Sequence, residues 1–357
     1  MKILFLNTNI GYGGASKIMV WLANKLAIEG NEVTLLTYRD GREFQSLEKD
    51  VKHVHIQLET LSGQGKGLFH TIKVLHNYLK KESFNWAIAF LSPSHLRLAL
   101  ACKGTQTKIL FSHRGDPYHQ SKKIKSIILG RIVFWAFKQA DYYVFQTEKA
   151  KAFYSKKIQN KSVVIANPVV PLQRTVAREG HIEKHIVNVS RLDIHQKRQD
   201  VLIKAFIMIA DRYPNYTLDL YGDGEDERTL RELAHNNSQI RFMGKTANVV
   251  EAIQNATMFV LSSDFEGIPN ALIEAMSLGV PCISTDCSPG GAAMLIQNKE
   301  NGLLVPCCNP QLLSEAMAFF IDNPKQCEAM GKKGIEINEK YNESRIKAAW
   351  IQTLNSN

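Results

Sequence analysis

The 357-residue sequence has no apolar run approaching the roughly 18–20 residues that a membrane-spanning helix needs. The longest candidate, IILGRIVFWAF (127–137), is short and carries Arg131. The opening MKILFLN is too brief for a signal peptide and reads as a first strand. Cysteine is scarce: six residues with no C-x-x-C pair, the pattern of reduced, mostly buried thiols in a cytosolic protein. Adjacent Cys307 and Cys308 cannot form an ordinary bridge. There is no D-x-D pair to hold a divalent metal on a nucleotide. His53 and His55 alternate on one strand face without the Cys, Asp or Glu partners of a metal set. No catalytic metal and no cofactor are expected. No RNA-binding signature of interleaved basic and aromatic residues is present, so no nucleic-acid partner is expected.

What is there is a soluble globular chain, 45% hydrophobic and 22% charged, long enough for two domains of ordinary size. The net charge of +10 is unevenly spread. Residues 1–180 hold 27 Lys/Arg against 12 Asp/Glu, whereas 181–357 hold 17 against 22. That asymmetry points the first half toward something anionic, such as a membrane surface, a phosphorylated lipid or a nucleic acid.

Both halves alternate short apolar runs with helical patterns. KILFLN (2–7), EVTLLTY (32–38), WAIAFL (86–91), KILFS (108–112), YYVFQT (142–147) and SVVIAN (162–167) read as strands in the first. HIVNVS (185–190), YTLDLYG (216–222), QIRFMG (239–244), TMFVLS (257–262), PCIST (281–285) and GLLVP (302–306) do so in the second. Strands apolar on both faces and separated by helices predict parallel sheets covered on both sides. The fold class expected is α/β, with two doubly wound Rossmann-like domains. The predicted division is 1–167, a linker at 168–183 without clear periodicity, and 184–340, with a helix at about 341–357 packing back on the first domain. In such sheets ligands sit at the carboxyl ends of strands, so the loops there are where chemistry is sought.

After TMFVLS come the loop SDFEGI and a helix from Pro269 to Gly279. Its polar positions, Asn270, Glu274 and Ser277, form one narrow stripe on an otherwise apolar helix. A buried carboxylate is costly without partners, so Glu274 bonds either ligand hydroxyls or an internal group. SRLDIHQKRQD (190–200) places Arg191 and Lys197 in a loop leading into a helix over 198–212. There two cations either neutralise a diphosphate or remain solvated. GDGEDE (222–227) lies on the same edge. NIGYGGASK (9–17) allows close backbone approach before a helix over 16–30, or is only a tight turn; it departs from the dinucleotide fingerprint G-x-G-x-x-G/A. SHRGDPYHQ (112–120) crowds His113, Arg114 and Asp116 before a proline, a site candidate or a satisfied loop histidine. SGQGKGLFHTIKVLHNYLKKE (62–82) and SKKIKSIILGRIVFWAFK (121–138) interleave basic and apolar residues. Either lies on a bilayer surface or simply covers the sheet.

Jointly these motifs resemble the retaining glycosyltransferases of GT-B family 4, over almost the whole chain. The residues carrying the resemblance are EGIPNALIE (266–274) with the preceding Ser263-Asp264, the Arg…Lys pair of SRLDIHQK, the GDGED turn and NGLLVP. The chain is similar to bacterial members that extend lipid-linked or protein-attached glycans. The resemblance implies two domains facing across a cleft and transfer of a hexose or N-acetylhexosamine from a UDP-sugar, with retention. The acceptor implied is a glycan, polyprenyl-diphosphate-linked or free, at the inner face of the cell membrane. It implies that Glu274 bonds the ribose hydroxyls and Glu266 the transferred sugar. Arg191 and Lys197 hold the diphosphate. Backbone at Gly267, Ile268, Asn270 and Ala271 borders sugar and phosphate. Gly222, Gly244 and Lys245 lie on the nucleotide side, with loop 242–246 near the base. Gly13 and Gly14 close over the phosphates or acceptor, and His113 matches the family's loop histidine in a less common context. A UDP-sugar 2-epimerase or an NAD-dependent oxidoreductase on a similar frame stays open, although the oxidoreductase reading suffers from the broken glycine fingerprint and gives EGIPNALIE no task.

Overall fold

A computed structural model describes residues 1–11, 13–39, 46–59, 67–123, 127–169, 182–246 and 248–356. Most of the expected linker, the glycine-rich lead at 62–66 and the centre of the basic stretch at 124–126 lie outside these residues. The chain forms two compact units, Met1–Asn167 with Ser344–Asn357, and Pro168–Glu343.

The first unit is built on β1 (Lys2–Asn7), β2 (Glu32–Arg39), β3 (Val51–Glu59), β4 (Trp86–Ala89), β5 (Lys108–His113), β6 (Tyr142–Phe145) and β7 (Ser162–Val164). They form one sheet in the order β3-β2-β1-β4-β5-β6-β7, and every pairing is parallel. The middle strands are buried on both faces, which explains their continuous rather than alternating hydrophobicity. Leu75, Leu98 and Phe137 from three helices pack with Leu4, Ala87 and Phe111 of the strands in one core cluster.

The second unit repeats the plan with β8 (Glu183–Val189), β9 (Thr217–Tyr221), β10 (Ile240–Gly244), β11 (Ala256–Leu261), β12 (Cys282–Thr285) and β13 (Leu303–Val305). Its sheet is also wholly parallel, in the order β10-β9-β8-β11-β12-β13. Strand order reverses between β1 and β4 in one unit and between β8 and β11 in the other. Such switch points open a crevice at the carboxyl ends of the two strands.

Several expected elements are shorter than their apolar runs. β6 stops at Phe145 because Thr147 turns to cap the helix Glu148–Ala152, its hydroxyl accepting from the Ala150 amide at 2.9 Å. Phe90 and Leu91 leave β4 for the helix Ser92–Ala101. In the basic stretch 121–138 the described residues belong to the helices Pro117–Lys123 and Ile127–Phe137. The helix Glu343–Asn355 buries Trp350 completely, stacked on Phe90 at 5.9 Å, and Leu354 O accepts from the Trp86 indole at 3.2 Å. No helix among the described residues is long and apolar enough to cross a membrane.

Candidate functional site

The loops after β8 and β11 meet at the second unit's switch point. Residues 72 apart in sequence lie side by side there, and Asn188 near the end of β8 donates to Val260 O on β11 at 2.7 Å. Beyond the strands the two loops are stitched together. The Asp264 amide donates to Gln196 O at 2.9 Å, Gln196 Nε2 to Phe265 O at 3.3 Å, and Ser262 Oγ to Lys197 O at 2.8 Å. Arg198 Nη1 reaches Asp264 Oδ2 at 2.7 Å while its Nε and Nη2 hold Asp200. Those carboxylates, Asp200 first and then Asp264, raise the Arg198 pKa, so its charge is permanent.

This stitching brings together two of the predicted residues. Lys197 Nζ donates to Glu266 Oε1, which also accepts from Ser263 Oγ at 2.8 Å. Glu266 is only 7% exposed, so the lysine supplies the counter-charge its burial demands. Its amide donates to Ser288 O at 2.8 Å, fixing the loop to the turn after β12. Arg191 is more open, with its side chain 62% exposed and Nη2 on Asp193 Oδ2 at 2.5 Å.

A residue the motif reading missed shapes the Arg191 loop. Gln199 is fully buried; its Nε2 donates to Ser190 Oγ (2.7 Å) and Arg191 O (2.8 Å), and its Oε1 accepts the Asp193 amide (3.1 Å). A glutamine opening an apolar helix is the same signal that singled out Glu274, and it could have been read the same way. From the other side the GDG turn presses on this loop. Gly222 has φ +139°, and a Cβ there would lie 2.0 Å from Ser190 O, so both conformation and space require glycine. Its amide donates to Gly244 O at 2.8 Å, and Lys245 pairs with Asp223 at 2.7 Å on the surface.

The helix Asn270–Ser277 follows the Glu266 loop, with Pro269 as its N-cap. Leu272, Ile273, Ala275 and Met276 are buried, while Asn270, Ala271, Glu274 and Ser277 are partly exposed. The polar stripe therefore borders open space along one line of an otherwise enclosed helix. Gly267 and Ile268 are buried in the loop before it. A Cβ on Gly291 would stand 1.6 Å from Gly267 O, so the two backbones are in direct contact.

The remaining predicted residues belong to the first unit. Gly13 precedes the helix Gly14–Ile28 in extended conformation, and a Cβ there would meet nothing within 4 Å. The fold itself does not demand glycine at that position. His113 ends β5 and is buried, with Nε2 3.0 Å from Gln120 Oε1. Burial lowers its pKa, so the ring is a neutral hydrogen-bonding group rather than a cation. Beside it, burial pushes His95 down to about 3. Among the described residues no group of three or more His, Cys, Asp or Glu is placed to hold a metal ion.

Known proteins match this arrangement along nearly the whole chain. Residues 12–171 match the model of Glycosyltransferase Family 4, and residues 172–337 that of Glycosyl transferases group 1. The chain is 27% identical to an uncharacterized glycosyltransferase of Haemophilus influenzae, over 98% of each chain. It is 25% identical to a Campylobacter jejuni N-acetylgalactosaminyltransferase acting on a GalNAc-containing undecaprenyl-diphosphate glycan, over 99% of this chain and 98% of the other. Anabaena HepE in complex with UDP-glucose superposes over the full length of both chains with a TM-score of 0.81 at 18% identity. The epimerase and oxidoreductase alternatives are not favoured. Two all-parallel doubly wound units, matched from residue 12 to residue 337 by these two models, make the chain a family 4 glycosyltransferase of the GT-B fold.

Proposed function

We propose that the protein transfers a hexose or N-acetylhexosamine from a UDP-sugar to a glycan acceptor carried on a polyprenyl diphosphate, with retention of anomeric configuration and without a metal. The observation that carries this reading is the switch-point arrangement, with Glu274 on the one open line of its helix and Lys197 and Glu266 on adjoining loops. Glu274 accepts the ribose hydroxyls. Arg191 and Lys197 take the charge that grows on the diphosphate as the anomeric bond breaks, joined by the backbone of Gly267, Ile268, Asn270 and Ala271 at the start of the helix. Glu266 bonds the sugar hydroxyls, and Gly222, Gly244 and Lys245 lie on the nucleotide side. His113 serves the transferred sugar, and the turn of Gly13 and Gly14 serves the phosphates or the acceptor. A donor phosphate oxygen takes the acceptor's proton, and the new bond forms on the face the diphosphate leaves. Trapping a covalent glycosyl-enzyme on Glu266 would overturn this route.

Two relatives support the substrate classes: the C. jejuni enzyme by its undecaprenyl-diphosphate acceptor, and HepE by its bound UDP-glucose. UDP titrated calorimetrically into Glu274→Ala is expected to bind roughly 10- to 100-fold more weakly than to the wild type, the worth of a bidentate charge-assisted contact. Unchanged UDP affinity would remove Glu274 from the site.

The membrane is the expected location of such an acceptor, on the cytoplasmic side. On the helix Ile127–Phe137, Ile132, Phe134 and Trp135 are exposed beside Arg131. Lys138 lies over the Phe134 ring at 4.3 Å and Lys103 over Trp135 at 4.7 Å. Aromatic rings flanked by cations suit an anionic headgroup layer. Sedimentation with liposomes is expected to rise with anionic lipid and fall with salt. Indifference to both sinks the membrane assignment.

A further inference from the structure

The donor site uses the second unit's cations and leaves one in the first unit unexplained. Arg114 follows β5 directly, at the carboxyl edge of the sheet. Its guanidinium lies 4.3 Å from the centroid of the Phe90 ring, which follows β4, and 5.5 Å from that of Trp350. Nη1 donates to Asn167 Oδ1 at 2.8 Å, and Gln146 Nε2, beyond the end of β6, donates to the same oxygen at 2.8 Å. Residues at the carboxyl ends of β4, β5 and β6 thus converge on one corner with Asn167.

That corner is rich in donors that no described residue satisfies. Arg114 Nε and Nη2 are buried without a hydrogen-bond partner among the described residues, and so is the indole Nε1 of Trp350. Burial pushes the Arg114 pKa down to about 9, and no carboxylate among the described residues pulls it back. Aromatic faces offset part of the cost of a buried cation but accept none of its N–H groups. Left alone, such a group is a liability of the kind found at functional sites. A structural role would be filled as well by an apolar side chain of similar length. One acceptor there, Gln146 Oε1, is also without a partner among the described residues, but the three donors and the positive charge outweigh it and suit an oxyanion.

We propose that Arg114 and the Trp350 indole N–H form an anion subsite in the first unit, binding a phosphate or carboxylate group carried by the glycan acceptor. The assignment of that anion to the acceptor rests on the transferase reading above; the anion site itself rests on the corner's geometry. Phosphates of the donor are assigned to Arg191 and Lys197, so the two sites can be separated by substitution.

The test uses the full chain carrying Arg191→Ala, Lys197→Ala and Glu266→Gln, the last so that no buried carboxylate is stranded, titrated with inorganic pyrophosphate and, separately, with glucuronate. One or both anions are expected to bind this protein, and the tighter one identifies whether a phosphate or a carboxylate is recognised. Adding Arg114→Met is expected to weaken that binding by roughly 10- to 100-fold, the worth of a charge-assisted hydrogen bond. Melting temperature is expected to hold or rise, because an unpaired buried charge is removed. Should Arg114→Met melt early, Trp350→Phe deletes only the indole N–H edge while keeping an aromatic ring, and it is expected to weaken the same anion by several-fold. Binding unaffected by both substitutions overturns the proposal, as does the failure of both anions to bind the parent variant. Failure of the donor reading is seen elsewhere, as UDP affinity that ignores Arg191→Ala and Lys197→Ala.

Discussion

Replacing Lys197 with methionine is expected to slow sugar transfer by roughly 100- to 1,000-fold, the range seen when one pre-set group is removed from a developing negative charge. The ammonium of Lys197 is held against Glu266, and both loops are cross-linked around them, so the charge is positioned before any ligand arrives. UDP affinity is expected to fall less than the rate, because the diphosphate gains charge as the anomeric bond breaks. The substitution also strands the carboxylate of Glu266, which is 7% exposed. Breaking a buried pair from one side costs about 3–5 kcal/mol. A thermal melt of Lys197→Met alone should therefore drop, and Lys197→Met with Glu266→Gln should recover most of the loss without recovering transfer. Near-normal turnover in the single variant removes Lys197 from the reaction, and an uncoupled double variant refutes the burial argument.

The second large effect comes from a residue that carries no functional group. Gly291→Ala places a methyl 1.6 Å from Gly267 O, and also 3.1 Å from the Ile268 Cα. No rotamer change relieves a clash with backbone, so the Glu266 loop must move by an ångström or more. Displacements of that size in a reacting geometry cost on the order of 100-fold in rate. Overpacking of this kind destabilises by about 1–3 kcal/mol, so the protein is expected to remain folded but nearly inactive. Wild-type kcat/KM in Gly291→Ala, with circular dichroism unchanged, shows that the loop tolerates the shift and is not part of the site.

Much of the plan was legible because its signals are local. Alternation of β-type runs with helices marks parallel sheets, and the run from Asn270 to Ser277 shows its open line through polar residues at helical spacing. The element ends were less legible, since Thr147 and Phe90 belong by composition to a strand and by capping or packing to the segment after it. The pairing of Lys197 with Glu266 could not be read at all. Their proximity depends on β8 lying beside β11, a consequence of sheet order rather than of any residue near either one. Arg114 was legible only as part of a crowded loop. In the sequence it is one of several polar residues in a loop, and only the rings of Phe90 and Trp350 reveal it as a cation without a counter-charge.

The return of residues 344–357 to the first unit also bears on synthesis. Pro168–Glu343 is a contiguous stretch and can complete its sheet as it leaves the ribosome. The earlier unit cannot, because Trp350 and the carbonyl that receives the Trp86 indole are made after the whole of the other unit. Until then Phe90 and Trp86 wait for their partners. The unit translated first is thus the one finished last, and its folding is the stage at which a nascent chain would be most open to chaperones and proteases.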